Sequence, residues 1–115
     1  MSDSKKIILL EDDKASSRLL SAFLEAKGYE VQESHEGRFA IELALRDTPD
    51  LMIVDVLLPD MHGSEAVKKL TATNRMHDMK VLFVTSLLSK STEGGKVTRL
   101  KGAGKEYPAL SKTFN

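Results

Sequence analysis

The chain has 115 residues, and its 17 Lys and Arg residues balance its 17 Asp and Glu residues. This length suits one small domain, and 41% hydrophobic residues indicate a globular protein rather than a disordered one. Zero net charge excludes a long-range attraction to nucleic acid or an anionic membrane, and the absence of cysteine excludes disulfides and zinc–thiolate sites.

The first predicted element is the unbroken apolar run at residues 7–10, which is typical of a parallel strand buried on both faces. The run is too short for a secretory signal or for a membrane span of about 20 residues. We therefore expect a cytoplasmic protein. Three acids, Glu11, Asp12 and Asp13, end the strand, and apolar residues at helical spacing then predict a helix that stops at Gly28.

The same alternation of strands and helices continues along the chain. A second strand is predicted at 29–32, a third at 51–54 ending at Asp55, and a fourth at 81–84 ending at Thr85. Helical spacing separates them, with apolar positions at Phe39, Ala40, Leu43 and Ala44 and later at Ala66, Val67 and Leu70. This order predicts βαβ units and, with right-handed crossovers, an open doubly wound parallel sheet.

The pattern weakens in the C-terminal third, from about residue 87. A helix at 87–100 is opposed by Gly94 and Gly95, each of which costs about 1 kcal/mol in a helix. A fifth strand is expected within 106–114, with Pro108 placing it at an edge or delaying its start. We predict one α/β domain over residues 1–115, with a five-stranded parallel sheet and the final helix missing.

Polar residues end three of these predicted strands. Glu11, Asp12 and Asp13 follow the first, Asp55 ends the third and Thr85 ends the fourth. Because ligands bind at the carboxyl ends of parallel strands, we expect these residues to share one rim. Carboxylates gathered there repel one another unless a cation neutralises them, and an all-oxygen set favours Mg²⁺. The alternative is that they are solvated loop residues that cap helices.

Five motifs occur in the order typical of one known family. They are residues 7–13 (IILLEDD), 49–55 (PDLMIVD), 58–63 (LPDMHG), 84–86 (VTS), and Lys112 followed by Phe114. Together they resemble the response-regulator receiver family, which implies the flavodoxin-like fold. The resemblance implies that Asp55 is the phospho-acceptor. It also implies that Asp12, Asp13, Asp55 and the backbone carbonyl of Leu57 bind Mg²⁺.

The resemblance also implies a switch. Thr85 matches the hydroxyl that turns towards the phosphoryl group, Lys112 matches the lysine that pairs with its charge, and Tyr107 is the candidate aromatic of the last strand. The spacing from Tyr107 to Lys112 is longer than usual in the family, so a packed or surface tyrosine is an equal alternative.

Two departures from the family pattern carry expectations of their own. Leu57 and Leu87 stand where fast self-dephosphorylating relatives have polar side chains, so we expect a long-lived phosphoryl state. A missing final helix would expose apolar residues of the first helix, which a homodimer or a helix from a larger parent protein would cover.

The sequence thus predicts a phosphorelay receiver, whose partners are a sensor histidine kinase or phosphotransfer protein and a downstream protein target. It would not be an enzyme acting on an external metabolite, and we expect no direct contact with nucleic acid or membrane. The alternative is a phosphorylation-independent pseudo-receiver that acts as an interaction module. A magnesium phosphohydrolase is disfavoured because Leu57 stands where a second acid is needed. A flavodoxin is disfavoured because no phosphate-binding loop follows the first strand.

Overall fold

The computed structural model describes residues 4–73, 79–85, 97–102 and 105–111. Within these residues six strands form one sheet, in the order β2-β1-β3-β4-β6-β5. The strands are β1 (Lys6–Leu10), β2 (Glu30–Ser34), β3 (Leu51–Asp55), β4 (Lys80–Thr85), β5 (Val97–Gly102) and β6 (Lys105–Ser111). The helices are α1 (Lys14–Ala26), α2 (Gly37–Arg46) and α3 (Gly63–Thr71).

The first four strands form the predicted parallel sheet. β1 pairs in parallel with both β2 and β3, and β3 pairs in parallel with β4. Helices alternate with these strands along the chain as the periodicity indicated. The prediction of a flavodoxin-like α/β fold is confirmed for this part of the molecule.

The C-terminal third differs from the prediction. β6 takes the fifth parallel position beside β4, but β5 is an added sixth strand that runs antiparallel to β6. Residues 97–100, which were a candidate helix, belong to β5. The parallel pairing with β4 begins at Ala109, directly after Pro108, which has no amide hydrogen to donate. The predicted absence of a final helix concerns residues 112–115, which lie outside the described residues.

The core lies on both faces of the sheet. Ile8 and Leu10 of β1 pack into a cluster with residues of α2 and α3, whereas Ile7 and Leu9 pack into a cluster on the opposite face with residues of α1. These four β1 side chains are at most 2% exposed. Burial of both strand faces explains why β1 is an uninterrupted apolar run rather than an alternating one.

Helix α1 packs two leucines against the sheet and leaves two large apolar side chains exposed. Its Leu20 and Leu24 pack against the cluster, and its buried Ser17 donates a hydrogen bond to Glu33 of β2 at 2.7 Å. Leu19 and Phe23 are 76% and 58% exposed. These two apolar side chains of α1 are therefore accessible to solvent. No helix in the described parts of the chain is long and apolar enough to cross a membrane.

Helix α2 obtains its N-terminal cap from a distant loop. Its own N-cap residue, Glu36, makes no side-chain cap hydrogen bond. Instead, the Asp60 carboxylate accepts hydrogen bonds from the amides of Gly37 at 2.8 Å and Arg38 at 3.0 Å. Burial raises the pKa of Asp60, but these backbone hydrogen bonds outweigh burial, and the net pKa lies below its ordinary value.

We expect Asp60→Ala to lower the free energy of unfolding at neutral pH by about 1 kcal/mol, as typical for loss of a helix cap. Because the folded-state pKa of Asp60 is lowered, its contribution is present above the unfolded-state pKa and is lost as pH falls through the folded-state value. Urea titrations should therefore show the difference between wild type and variant shrinking in acid. Glu36→Ala is the control, and an equal loss there would contradict the assignment.

Candidate functional site

Three carboxylates meet at the carboxyl edge of the sheet. Glu11 and Asp12 follow β1, and Asp55 is the last residue of the adjacent β3. One carboxylate oxygen from each lies within 4.8 Å of the other two. Glu11 and Asp55 are 6% and 5% exposed, whereas Asp12 is open to solvent. The predicted meeting of Asp12 and Asp55 is therefore present in the structure.

Glu11 was expected at this rim but was not among the predicted Mg²⁺ ligands, and the structure places its carboxylate in the group. Its amide donates to the carbonyl of Ser34 at 3.0 Å, which extends the β1–β2 pairing by one residue. Its carboxylate folds back to accept a hydrogen bond from the amide of Asp13 at 3.0 Å. Its position in the sequence could have indicated a ligand role, because Glu11 directly follows the buried run and is the first of the three acids.

Asp13 caps a helix in the structure. It is the N-cap of α1, and its carboxylate accepts hydrogen bonds from the amide of Ala15 and the hydroxyl of Ser16. Aspartate is among the residues that best stabilise a helix N-terminus. The group of three carboxylates within 4.8 Å contains Glu11 rather than Asp13. A ligand role for Asp13 stays a prediction.

The loop after β3 is closed tightly around Asp55. The amide of Leu57 donates to the Asp55 carboxylate at 3.3 Å, and the amide of Gly63 donates to the Val56 carbonyl at 2.7 Å. A short bridge also joins Leu57 to His62. The side chain of Leu57 is 44% exposed. The ligand role of its backbone carbonyl stays a prediction.

The remaining predicted site residues lie at or beyond the ends of β4 and β6. Thr85 ends β4 and pairs with Ser111, the last residue of β6, while Tyr107 lies earlier in β6 opposite Leu100. The side chains of Thr85 and Tyr107, and the whole of Lys112, fall outside the described residues. Their predicted switch and charge-pairing roles stay predictions.

The donor set at this edge fits Mg²⁺. All three groups offer oxygen, the ligand that Mg²⁺ prefers, and two of them are buried where like charges repel most strongly. Ligand oxygens on opposite sides of Mg²⁺ lie about 4.2 Å apart. The three oxygens lie within 4.8 Å of one another, which is close enough for one ion to contact them after small side-chain rotations.

Comparison with known proteins identifies the family of this fold. The family model of the response regulator receiver domain matches residues 7–104. The chain belongs to this family. Among curated relatives, the receiver is 31% identical to the regulatory protein VanRc of Enterococcus gallinarum over 112 residues, which cover 97% of this chain and 45% of VanRc.

Two other relatives differ in how much of their length the receiver matches. It is 32% identical to the polar-differentiation response regulator DivK of Brucella anthropi over 89 residues, covering 77% of this chain and 72% of DivK. It is 31% identical to the response regulator PleD of Caulobacter vibrioides over 104 residues, covering 90% of this chain but only 22% of PleD.

Solved receiver structures show the same fold. The chemotaxis response regulator CheY4 of Vibrio cholerae matches with a TM-score of 0.71 and 28% identity, over 76% of this chain and 73% of CheY4. A CheY-like receiver domain from Methylobacillus flagellatus matches with a TM-score of 0.78 and 23% identity, over 98% of this chain and 90% of that chain.

Proposed function

We propose that this receiver is a phosphorelay switch. Asp55 accepts a phosphoryl group from a phosphohistidine of a sensor histidine kinase or phosphotransfer protein, in a reaction that needs Mg²⁺, and the modified protein then changes its affinity for a downstream protein. The observation that carries this proposal is the convergence of Glu11, Asp12 and Asp55 at one edge of the sheet.

The chemistry requires little beyond positioning. A carboxylate oxygen of Asp55 forms a bond to phosphorus, the bond from phosphorus to the donor's imidazole nitrogen breaks, and the nitrogen keeps the electron pair. Mg²⁺ bound by Glu11 and Asp12 would supply positive charge that offsets repulsion between the carboxylates and the phosphoryl oxygens. The Leu57 amide already donates to the Asp55 carboxylate and fixes its orientation.

The same proposal describes how phosphorylation would alter the structure that partners bind. Thr85 and Lys112 would contact the phosphoryl oxygens only after transfer, and this difference would bias the arrangement of the chain after β4, with Tyr107 as a candidate participant. The receiver would catalyse its own phosphorylation and slow dephosphorylation in the cytoplasm and would turn over no external metabolite. A homodimer across the apolar side of α1 remains a prediction.

The acceptor is tested by intact mass spectrometry after incubation with acetyl phosphate and Mg²⁺. We expect one phosphoryl adduct on the wild type and none on Asp55→Asn. Asp47→Asn is the matched control, because Asp47 pairs with Lys6 at 2.9 Å on the exposed surface and should not alter the adduct. An adduct that persists in Asp55→Asn, or is absent from the wild type, would contradict the proposal.

A long phosphoryl lifetime is predicted from Leu57, which cannot hold an attacking water two residues from Asp55. Labelled phosphoprotein in Mg²⁺ should lose its phosphoryl group over minutes or longer. Leu57→Asn should accelerate this loss by about tenfold or more, since a polar group there can position water, while Leu57→Met should not. Loss from the wild type within seconds would refute the prediction. Leu87, the second leucine of this argument, lies outside the described residues.

A phosphorylation-independent interaction module is the second candidate. The observation that favours it is the antiparallel strand β5, where the alternating pattern would have placed a helix. This candidate predicts a wild type that acquires no adduct and an Asp55→Asn variant that binds partners unchanged.

A further inference from the structure

The β2–α2 connection contacts both loops that carry the acids. At its first position, Ser34 is 1% exposed and its hydroxyl donates to the carbonyl of Glu36 at 2.8 Å. At its far end, Gly37 is fixed by Asp60, which belongs to the loop after Asp55. His35 lies between these two fixed points. Its backbone is therefore held on both sides.

The ring of His35 reaches across to the turn that carries the other two acids. Its Nδ1 lies 2.8 Å from the carbonyl oxygen of Glu11, a residue that is 24 positions away in sequence. A carbonyl can only accept, so Nδ1 carries the hydrogen and donates it. Glu11 is buried, and a buried carbonyl requires a donor. The ring therefore provides a specific hydrogen bond to this turn.

This hydrogen bond lies at the peptide group that joins Glu11 to Asp12. The carbonyl of Glu11 and the amide of Asp12 belong to one planar peptide group. Fixing the direction of that carbonyl therefore fixes the plane from which the Asp12 side chain departs. His35 and Asp12 also line the same groove. The ring thus acts at the one peptide that sets the direction of Asp12 relative to Glu11.

Like charges would drive this turn open without a restraint. Glu11 and Asp12 are adjacent in sequence, and their carboxylates lie within 4.8 Å of each other and of Asp55. Repulsion in a partly buried site favours separation of such groups. Hydrogen bonds that orient ligand-bearing groups typically change metal affinity by about tenfold to a hundredfold when they are lost.

We propose that His35 is a positioning residue, whose Nδ1–H bond to the Glu11 carbonyl holds the acidic turn in the shape that binds Mg²⁺. This inference rests on the proposed function for the metal, whereas the hydrogen bond itself is independent of it. The relevant property is the donor position, and Asn at 35 can present an amide hydrogen near the same place. Leu fills similar space and offers no donor.

The test compares His35→Leu with His35→Asn in the full chain, with folding checked by circular dichroism. Mg²⁺ affinity is measured by calorimetry, and acetyl phosphate transfer is measured across Mg²⁺ concentrations. We expect His35→Leu to weaken Mg²⁺ binding by about tenfold or more, and His35→Asn to stay near wild type. The transfer rate at saturating Mg²⁺ should change little. Wild-type affinity in His35→Leu, or equal losses in both variants, would overturn the inference.

A measurement without metal tests the hydrogen bond separately. Nitrogen-15 spectra of the wild type should show neutral His35 protonated at Nδ1, whereas protonation at Nε2 would overturn the inference. A wild type that binds no Mg²⁺ would overturn the proposed function and the metal side of this inference together. An Nε2 tautomer in a protein that does bind Mg²⁺ and accept phosphoryl would overturn this inference alone.

Discussion

Gly63→Ala is expected to be among the most destabilising single substitutions in the described part of this protein. A Cβ at this position would lie 2.2 Å from the carbonyl oxygen of Asp55 and 2.8 Å from Cγ1 of Val54. Both neighbours belong to the buried strand β3, so neither can move without disturbing the sheet. We expect the free energy of unfolding to fall by about 3 kcal/mol, the upper end for overpacking.

Gly37→Ala is the matched control for this prediction. Gly37 and Gly63 are both the first residues of helices, and neither has a positive φ. At Gly37, however, the added Cβ would meet the side chain of Met61 at 2.6 Å, and that side chain is flexible and only half-buried. We expect a change within about 1 kcal/mol in urea titration. Equal losses for both variants would show that contact with the β3 backbone is not the cause.

Removing either Glu11 or Asp12 is expected to weaken Mg²⁺ binding far more than removing Asp13. Glu11→Gln and Asp12→Asn each take a negative charge from the group of carboxylates that lie within 4.8 Å. We expect each to lower the affinity by about tenfold or more. Asp13→Asn leaves that group intact, and Asn also caps helices well, so α1 should keep its first turn.

Calorimetry and the Mg²⁺-dependent rise in melting temperature provide two independent measurements of this series. A ligand that binds only the folded state stabilises the protein. The gain in free energy of unfolding grows with the logarithm of the ratio of ligand concentration to dissociation constant. Asp13→Asn should therefore retain the wild-type rise, and the other two variants should lose most of it. The opposite ranking would support the prediction, drawn from the family resemblance, that Asp13 is a ligand.

The sheet was predictable from sequence because its signal is local. Residues 7–10 are buried on both faces and are therefore apolar without interruption, and the following helices show their own periodicity. β5 was not predictable in the same way. Its sequence has no uninterrupted apolar run, and its pairing with β6 is a contact between two strands rather than a local signal.

The site residues that lie at the ends of strands were predictable from the sequence. Asp55 ends β3 and Asp12 lies just beyond β1, and the structure brings their carboxylates together. The choice between Glu11 and Asp13 depended on side-chain direction, because one folds back into the site and the other caps α1. The contact of His35 with Glu11 joins residues 24 positions apart and has no local sequence signal.

The Asp60 cap also has a consequence for how the chain folds during synthesis. Helix α2 ends at Arg46, yet two amides of its first turn donate to Asp60, which lies 22 to 23 positions later in the sequence. In a nascent chain released only as far as β3, we therefore expect the first turn of α2 to lack this cap. We expect the cap to form only after the loop that carries Asp60 has been synthesised, so that the first turn of α2 is completed later than its place in the sequence suggests.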